Sequence, residues 1–436
     1  FAVGVTLASA VLFGVAPALR FSRPVVADAL RGAGRGQVGP GRRGGLRGAL
    51  VAGEVALALV LLIGAGLLGR SFLTLLDNDL GFRPERRATL QTFLWDRNPT
   101  SEQRVARVGA LIARFEAVPG VERAAAVSSL PFHPHAITAA DPLHVEGRAR
   151  ARPGEAEEVF TTVATPGYFG VMGIALRAGR GFTAADRAGA PPVALVSEAL
   201  ARRFFPGEDP VGRRITIGVM GPPVTREIVG VVAGVRPQGL DSPPRPELFV
   251  PHAQHGTGSM IFVARTRGRP GPLLPALQRA VWDVDPDQTV YHAATLESLV
   301  RGTLAERRFH LALLGTFSAV ALALAVVGLY GLVSFSTAQR TGEIGIRMAL
   351  GARGGEIVRM VVGQGVRVAL PGIVAGIAGA LLLTRFLRGM LYGVAPADPA
   401  TYLQLAVLMV AVAAVAAFVP ARRAAGVDPM TALRGE

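Results

Sequence analysis

Residues 49 to 69 read ALVAGEVALALVLLIGAGLLG, an apolar run carrying a single charge. At ~1.5 Å per residue such a helix reaches about 31 Å, the depth of a bilayer's hydrocarbon core. No other feature constrains the chain so sharply, because lipid offers backbone groups no hydrogen-bond partners and a segment of this kind has to satisfy its own. Three more runs meet the same requirement, at about 310 to 335, 364 to 387 and 402 to 419. Residues 1 to 16 resemble the end of a fifth span.

The chain is 50% hydrophobic and carries a net charge of +15, with arginine as its only strongly basic residue. Between residues 70 and 308 there are 29 Arg against 24 acidic residues, and in the remainder 17 against 7. The basic excess therefore flanks the apolar runs, and the large middle segment lacks the basic face that nucleic-acid binding requires. Short loops rich in Arg stay on the cytoplasmic side. Residues 17 to 48, 338 to 363 and the tail after 419 are such segments, whereas 389 to 401 has no Arg. Residues 70 to 308 are thus expected outside the cytoplasm. Cysteine is absent, so neither disulfides nor thiolate metal sites contribute.

Within the spans, Gly372, Gly376 and Ala380 recur every fourth residue and form a small-residue stripe suited to close helix approach, although lipid-facing glycine would read the same. Pro371 removes a backbone donor at the start of that stripe. Glu54 is the one acid inside an expected span, about a turn and a half from the cytoplasmic end, within reach of headgroups or Arg47.

The segment from 70 to 308 is long enough to bury its own core. Residues 88 to 94 and 121 to 130 read as strands around a helix over 100 to 118 that opens on the capping box Thr100xxGln103. Further strands are expected at 158 to 164, 213 to 218, 226 to 235, 247 to 252, 260 to 266 and 289 to 292. A strand running into a helix is expected over 193 to 205, and a helix over 272 to 284. This pattern predicts an α+β domain.

Catalytic signatures are missing. Gly34xGly36xxGly39 has no preceding strand and is followed by Pro40, so it is a poor dinucleotide fingerprint. A P-loop uses a Lys to reach the terminal phosphates, and this chain has none. His133, His135, Asp141 and His144 share a proline-containing loop without the spacing of a metal site, which reads as solvated loop histidines. Asp283, Asp285 and Asp287 read as a turn around Pro286.

Residues 17 to 32, PALRFSRPVVADALRG, align without a gap to residues 420 to 435, PARRAAGVDPMTALRG, agreeing at seven positions. The same unit, a span followed by a basic tail, ends twice. With TPGYFGVMGIALRAGRGFT, VSEALARRFFPGEDPVGRRI, QRTGEIGIRMALGA and DPMTALRGE in place, the sequence resembles the MacB/FtsX-type permeases of ABC transporters, in particular their duplicated acidobacterial form. The resemblance implies an integral membrane α-helical fold, a four-helix FtsX-like unit plus the end of a preceding span, with a large α+β extracytoplasmic domain. Residues 1–48 would be the last span and cytoplasmic tail of a preceding repeat, 49–69 a transmembrane helix, 70–308 a MacB-like periplasmic core domain with an insertion near 160–250, and 309–436 a permease domain with three spans.

Residues 338 to 350 can form a helix in which Arg340, Glu343 and Arg347 share one stripe, with Gly351 ending it. Ile344, Ile346, Met348 and Leu350 leave more apolar surface than a solvated loop helix keeps in water, and either lipid headgroups or a protein partner could cover it. The resemblance implies that this is the coupling helix contacting a cytoplasmic ABC ATPase, through Arg340, Glu343, Gly345, Arg347, Ala349, Leu350 and Gly351. It also implies that ATP acts only through that partner, with no cofactor bound directly. The first permease repeat, the lipid bilayer and a periplasmic partner complete the expected contacts. Two functions follow from the resemblance: ATP-driven export or mechanotransmission of peptide, antibiotic or lipoprotein cargo, and an FtsX-like relay controlling a cell-wall hydrolase.

Overall fold

A computed structural model describes residues 42–94, 100–134, 139–148, 157–219 and 221–426. Residues 1–41 of the expected preceding-repeat segment, His135 and most of the second copy of the repeated tail lie outside these residues. Four long helices carry the apolar runs: α1 (Arg42–Leu76), α7 (Ala305–Gln339), α9 (Gly354–Leu383, continued by a 3-10 segment Thr384–Met390) and α10 (Pro399–Ala425). All four are long and apolar enough to cross a membrane. Each runs beyond its apolar stretch. In α1 the extension carries Leu75, which is buried in the core of the outer domain, so tertiary packing continues the helix past Arg70.

The outer domain is built on one continuous sheet in the order β12 (Val290–Thr295), β1 (Arg87–Phe93), β11 (Ser259–Thr266), β2 (Val121–Val127), β5 (Glu158–Ala164), β10 (Glu247–Pro251), β7 (Val193–Ser197), β9 (Val224–Val232), β8 (Arg214–Ile217), β4 (His144–Val145). Its first part uses β1 (Arg87–Phe93), α2 (Ser101–Glu116), β2 (Val121–Val127), β11 (Ser259–Thr266), α5 (Leu274–Trp282) and β12 (Val290–Thr295). β11 lies antiparallel between β1 and β2, and β1 lies antiparallel between β11 and β12. These are two interlocked split βαβ units. Helix α2 opens on the expected capping box, with Thr100 and Gln103 exchanging hydrogen bonds of 2.9 and 3.2 Å. Its apolar residues Val108, Leu111 and Phe115 fall at helical spacing and bury against Phe262 and the α5 residues Leu277 and Val281.

The segment between β2 and β11, wider than the 160–250 insertion expected from the sequence, forms the second part. It contains β3 (Ala139–Pro142), β4 (His144–Val145), β5 (Glu158–Ala164), α3 (Tyr168–Met172), β6 (Leu176–Gly179), β7 (Val193–Ser197), α4 (Glu198–Phe204), β8 (Arg214–Ile217), β9 (Val224–Val232) and β10 (Glu247–Pro251). Strands β5 and β10 pair in parallel, as do β7 and β9, and apolar side chains of all four are buried on both faces of the sheet. Within the sheet the two parts meet at a single ladder pair, Val127 with Ala164, and one apolar core that includes Ile261, Val263, Leu195 and Val232 packs residues of both.

By internal contacts the chain forms two compact units. One comprises the described residues up to Leu57, Ala323–Ala375 and those from Leu408 onward; the other comprises Ala58–Leu322 and Gly376–Val407. In the first unit a Cβ built on Gly372 would meet the Ala52 carbonyl oxygen and, at 2.9 Å, Val55 Cβ. The α9 backbone therefore approaches α1 as closely as a glycine allows. Gly372, Gly376 and Ala380 are all buried. Arg47 does not reach for Glu54: its guanidinium lies 4.5 Å from the Phe335 ring centroid, while Glu54 sits against Gly328.

Candidate coupling site

Helix α7 ends at Gln339, and after one residue the chain enters the short helix α8 (Thr341–Ala349). Arg340 occupies the N-cap with no side-chain cap. The other end is closed by a Schellman pattern: Gly351, at φ +98°, donates to the Met348 carbonyl at 3.0 Å, and Ala352 donates to that of Arg347 at 3.0 Å. The positive φ is the reason for a glycine there.

Inside α8, Arg347 Nη2 donates to Glu343 Oε1 at 2.7 Å, the i,i+4 pair expected from the spacing. Arg347 Nη1 reaches Met360 Sδ on α9 at 2.7 Å, so the pair is oriented by the next helix. Ile344 is buried, whereas Ile346 and Leu350 are 51% and 83% exposed. Glu343, Ile346, Arg347 and Leu350 fall at i, i+3, i+4 and i+7 and make one outward stripe, an apolar pair beside an internally neutralised ion pair. Ala349 and Gly351 are exposed beside it. Gly345 differs from the other candidate residues: it is buried, so it faces the chain's own helices and is removed from the outward stripe.

A second set of contacts lies in the other unit, where the outer ends of the spans meet the outer domain. Arg307, in the first turn of α7, donates to Asp241 Oδ2 at 2.6 Å and to the Met390 carbonyl at 3.4 Å. Asn78, two residues past α1, donates to the Leu240 carbonyl at 3.0 Å, and Arg236 donates to the Asp79 carbonyl at 3.1 Å. Arg70 pairs with Asp398, and Ser71 Oγ accepts from the Tyr392 amide at 2.8 Å. The loop 236–242 is thus held by residues following α1 and by α7. None of these pairings was visible in the sequence; the one available signal was that Asp398 is the lone charged residue of the loop 389 to 401.

The outer domain also holds a cavity of about 340 Å³ lined by His133, Tyr168, Gln238, Arg245, Glu247 and Thr303 among others. Glu247 accepts from Thr162 Oγ1 at 2.6 Å, and burial pushes its carboxyl above the usual range. His133 is 7% exposed, with its ring 5.6 Å from that of His292, contrary to the solvated loop expected for it. Among the described residues no group of His, Cys, Asp or Glu is arranged to hold a metal.

Four spans, an α+β domain placed between the first and second, and a short exposed helix between the second and third define a permease unit of the membrane-embedded kind. The signature of the MacB-like periplasmic core domain matches residues 48–280, and that of the FtsX-like permease C-terminal domain matches residues 315–429. The chain belongs to the MacB/FtsX-type permeases of ABC transporters, multi-pass inner-membrane proteins with a large extracytoplasmic domain.

Relatives include the pyoverdine export ATP-binding/permease protein PvdT of Pseudomonas putida, 27% identical over 58% of this chain and 40% of the relative. The macrolide export ATP-binding/permease protein MacB of Marinobacter nauticus is also 27% identical, over 58% of this chain and 40% of that protein. The ABC transporter permease YknZ of Bacillus subtilis is 26% identical over 64% of this chain and 71% of its own length. The chain spans less than half the length of the PvdT and MacB proteins it matches. Among solved structures, the periplasmic region of MacB from Actinobacillus actinomycetemcomitans aligns with 13% identity and a TM-score of 0.35, over 52% of this chain and 97% of that one.

Proposed function

We propose that this chain is the permease unit of an ABC exporter, in which α8 docks on a cytoplasmic ATPase and ATP-driven movement passes along α1 and α7 to the outer domain. The observation that carries this reading is the exposed stripe of α8. Leu350 and Ile346 would leave apolar surface in water, and the ion pair beside them is already satisfied internally. Such a stripe suits a groove on a protein partner. Arg340, Glu343, Arg347, Ala349, Leu350 and Gly351 supply the contact, and buried Gly345 sets how closely α8 lies on its own helices.

Transmission needs no polar conduit through the spans, and apart from Glu54 the apolar cores of the four helices lack acidic residues. The contacts of Arg307, Asn78 and Arg236 with the loop 236–242 give α7 and the segment after α1 a grip on the outer domain. Cargo of the peptide, antibiotic or lipoprotein kind fits the reading, in line with the export named for PvdT and MacB.

Co-purification of the full-length protein from membranes, wild type beside Glu343→Arg with Leu350→Asp, tests it. A P-loop ATPase that accompanies the wild type and is lost from the variant is the expected result. An ATPase retained equally by both would move the docking site away from α8.

A further inference from the structure

At the inner ends of α7 and α10 lies a cavity of about 230 Å³ whose lining includes Tyr330, Ser334 and Thr337 of α7, Thr341 of α8, and Arg423 of α10. Its polar groups form a consistent set. Arg423 Nη1 donates to Tyr330 Oη at 2.9 Å, which leaves the phenol's own proton to point elsewhere. Ser334 Oγ is buried and has no hydrogen-bond partner among the described residues. An unsatisfied buried hydroxyl costs about 1–3 kcal/mol, so an acceptor brought into the cavity recovers that loss.

The remaining hydroxyls are committed: Thr337 donates to the Val333 carbonyl at 2.7 Å and Thr341 to that of Ala338 at 2.9 Å. Among the described residues no acidic side chain lines the cavity. Thr341 is the first residue of α8, whose N-terminus has no side-chain cap and so presents the positive end of its dipole. The C-terminal ends of α7 and α10 act in the opposite sense, and Arg423 in the last turn of α10 offsets that of its own helix. The balance of donors and charge favours an anion.

Its surroundings specify which anion. One to three turns deeper toward the bilayer centre, the same two helices expose Val327 and Leu324 of α7 and Val419 and Val415 of α10, at 46% to 71%. An occupant with a phosphate at one end and hydrocarbon at the other matches this sequence of surfaces, and basic pockets between spans on the cytoplasmic side bind anionic headgroups. We propose that this cavity holds the phosphate of an anionic phospholipid from the inner leaflet, bonded to Arg423, Tyr330 and Ser334. The lipid then ties the inner ends of α7 and α10 to the start of α8, so that the composition of the leaflet biases the position of the coupling helix.

Lipid binding is read without any ATPase, so this inference and the docking reading fail independently. The test is native mass spectrometry of the full chain released from detergent with phosphatidylglycerol or phosphatidylethanolamine, each against Arg423→Gln, Ser334→Ala and, as a charge-matched control outside the cavity, Arg422→Gln. We expect a saturable phosphatidylglycerol adduct, weakened about tenfold by Arg423→Gln and by a smaller factor by Ser334→Ala, with Arg422→Gln near wild type. The proposal is overturned if both Arg variants lose the adduct equally, which indicates surface attraction alone. It is also overturned if the two lipids bind alike, or if millimolar inorganic phosphate displaces the adduct and binds with the same Arg423 dependence. Thermal melting of each variant identifies a fold defect, and Tyr330→Phe, which keeps the ring and removes the donor, then takes the place of any variant that fails.

Discussion

Arg307 Nη2 lies 2.6 Å from Asp241 Oδ2, joining the first turn of α7 to the loop between β9 and β10. The two side chains are 29% and 46% exposed, so the pair contributes little to stability, within ~1 kcal/mol. Under the proposed function its role is positional, linking any displacement of α7 to the loop 236–242. Asp241→Ala is therefore expected to leave the melting temperature within a few degrees of wild type while weakening the coupling between ATP hydrolysis and transport. The charge-reversed pair Asp241→Arg with Arg307→Asp should restore that coupling. Transport per ATP hydrolysed in proteoliposomes is the measurement, and equal coupling in all three proteins would show the pair to be incidental.

Close approach of α9 to α1 depends on Gly372. A methyl group there meets the Ala52 carbonyl oxygen and Val55 Cβ, backbone and branched side chain that cannot swing aside. Gly372→Ala should destabilise the protein by about 1–3 kcal/mol, the usual cost of overpacking. Gly355→Ala, in the first turn of the same helix with nothing within 4 Å, is expected to be neutral or slightly stabilising. Paired thermal unfolding curves in detergent distinguish these outcomes.

The outer domain should weaken in mild acid through His252. This side chain is 2% exposed, its Nε2 lies 3.3 Å from the Thr257 carbonyl, and burial pushes its pKa down to about 4. A histidine held neutral in the fold contributes stability in full above its unfolded pKa of about 6.5, and that contribution is lost as pH falls toward 4. The linked loss is on the order of 3 kcal/mol. His255, also pushed down by burial, acts in the same direction, whereas Glu247, pushed up, favours the fold as pH falls. The informative quantity is thus the difference between wild type and His252→Gln. Melting temperatures taken at pH 7.5 and pH 5 should fall less in the variant.

The spans were readable because ~20 apolar residues in a row have one stable solution in lipid, and strands such as β5 and β10 because short stretches rich in β-branched and aromatic residues mark them. Sequence reasoning missed β3, β4 and β6, each of four residues or fewer, which exist only through their partners β5, β8 and β9. It also missed α6 (Leu296–Thr303), although Thr295 caps Ser298 at 3.1 Å and marks its start. The ends of the spans were underestimated for a physical reason. Arg70 and Arg307 look like boundaries by charge, yet Asp398 and Asp241 neutralise them and the helices continue.

At the candidate site, the spacing of Glu343 and Arg347 disclosed their ion pair, and Gly351 the helix end. Burial of Gly345 and His133 was not legible, because it depends on neighbours that are distant in sequence. The same holds for the donors gathered around Ser334, which come from three helices.

Under the proposed function the outward stripe of α8 meets an ATPase. A photo-crosslinking residue placed at Leu350 in the full-length protein, in native membranes, tests it most directly, with a second placed at Val327 as a control on a lipid-exposed face. A covalent adduct with a P-loop ATPase is expected from position 350 and none from 327. Adducts at 350 that contain only lipid, or an ATPase captured equally from both positions, would contradict it.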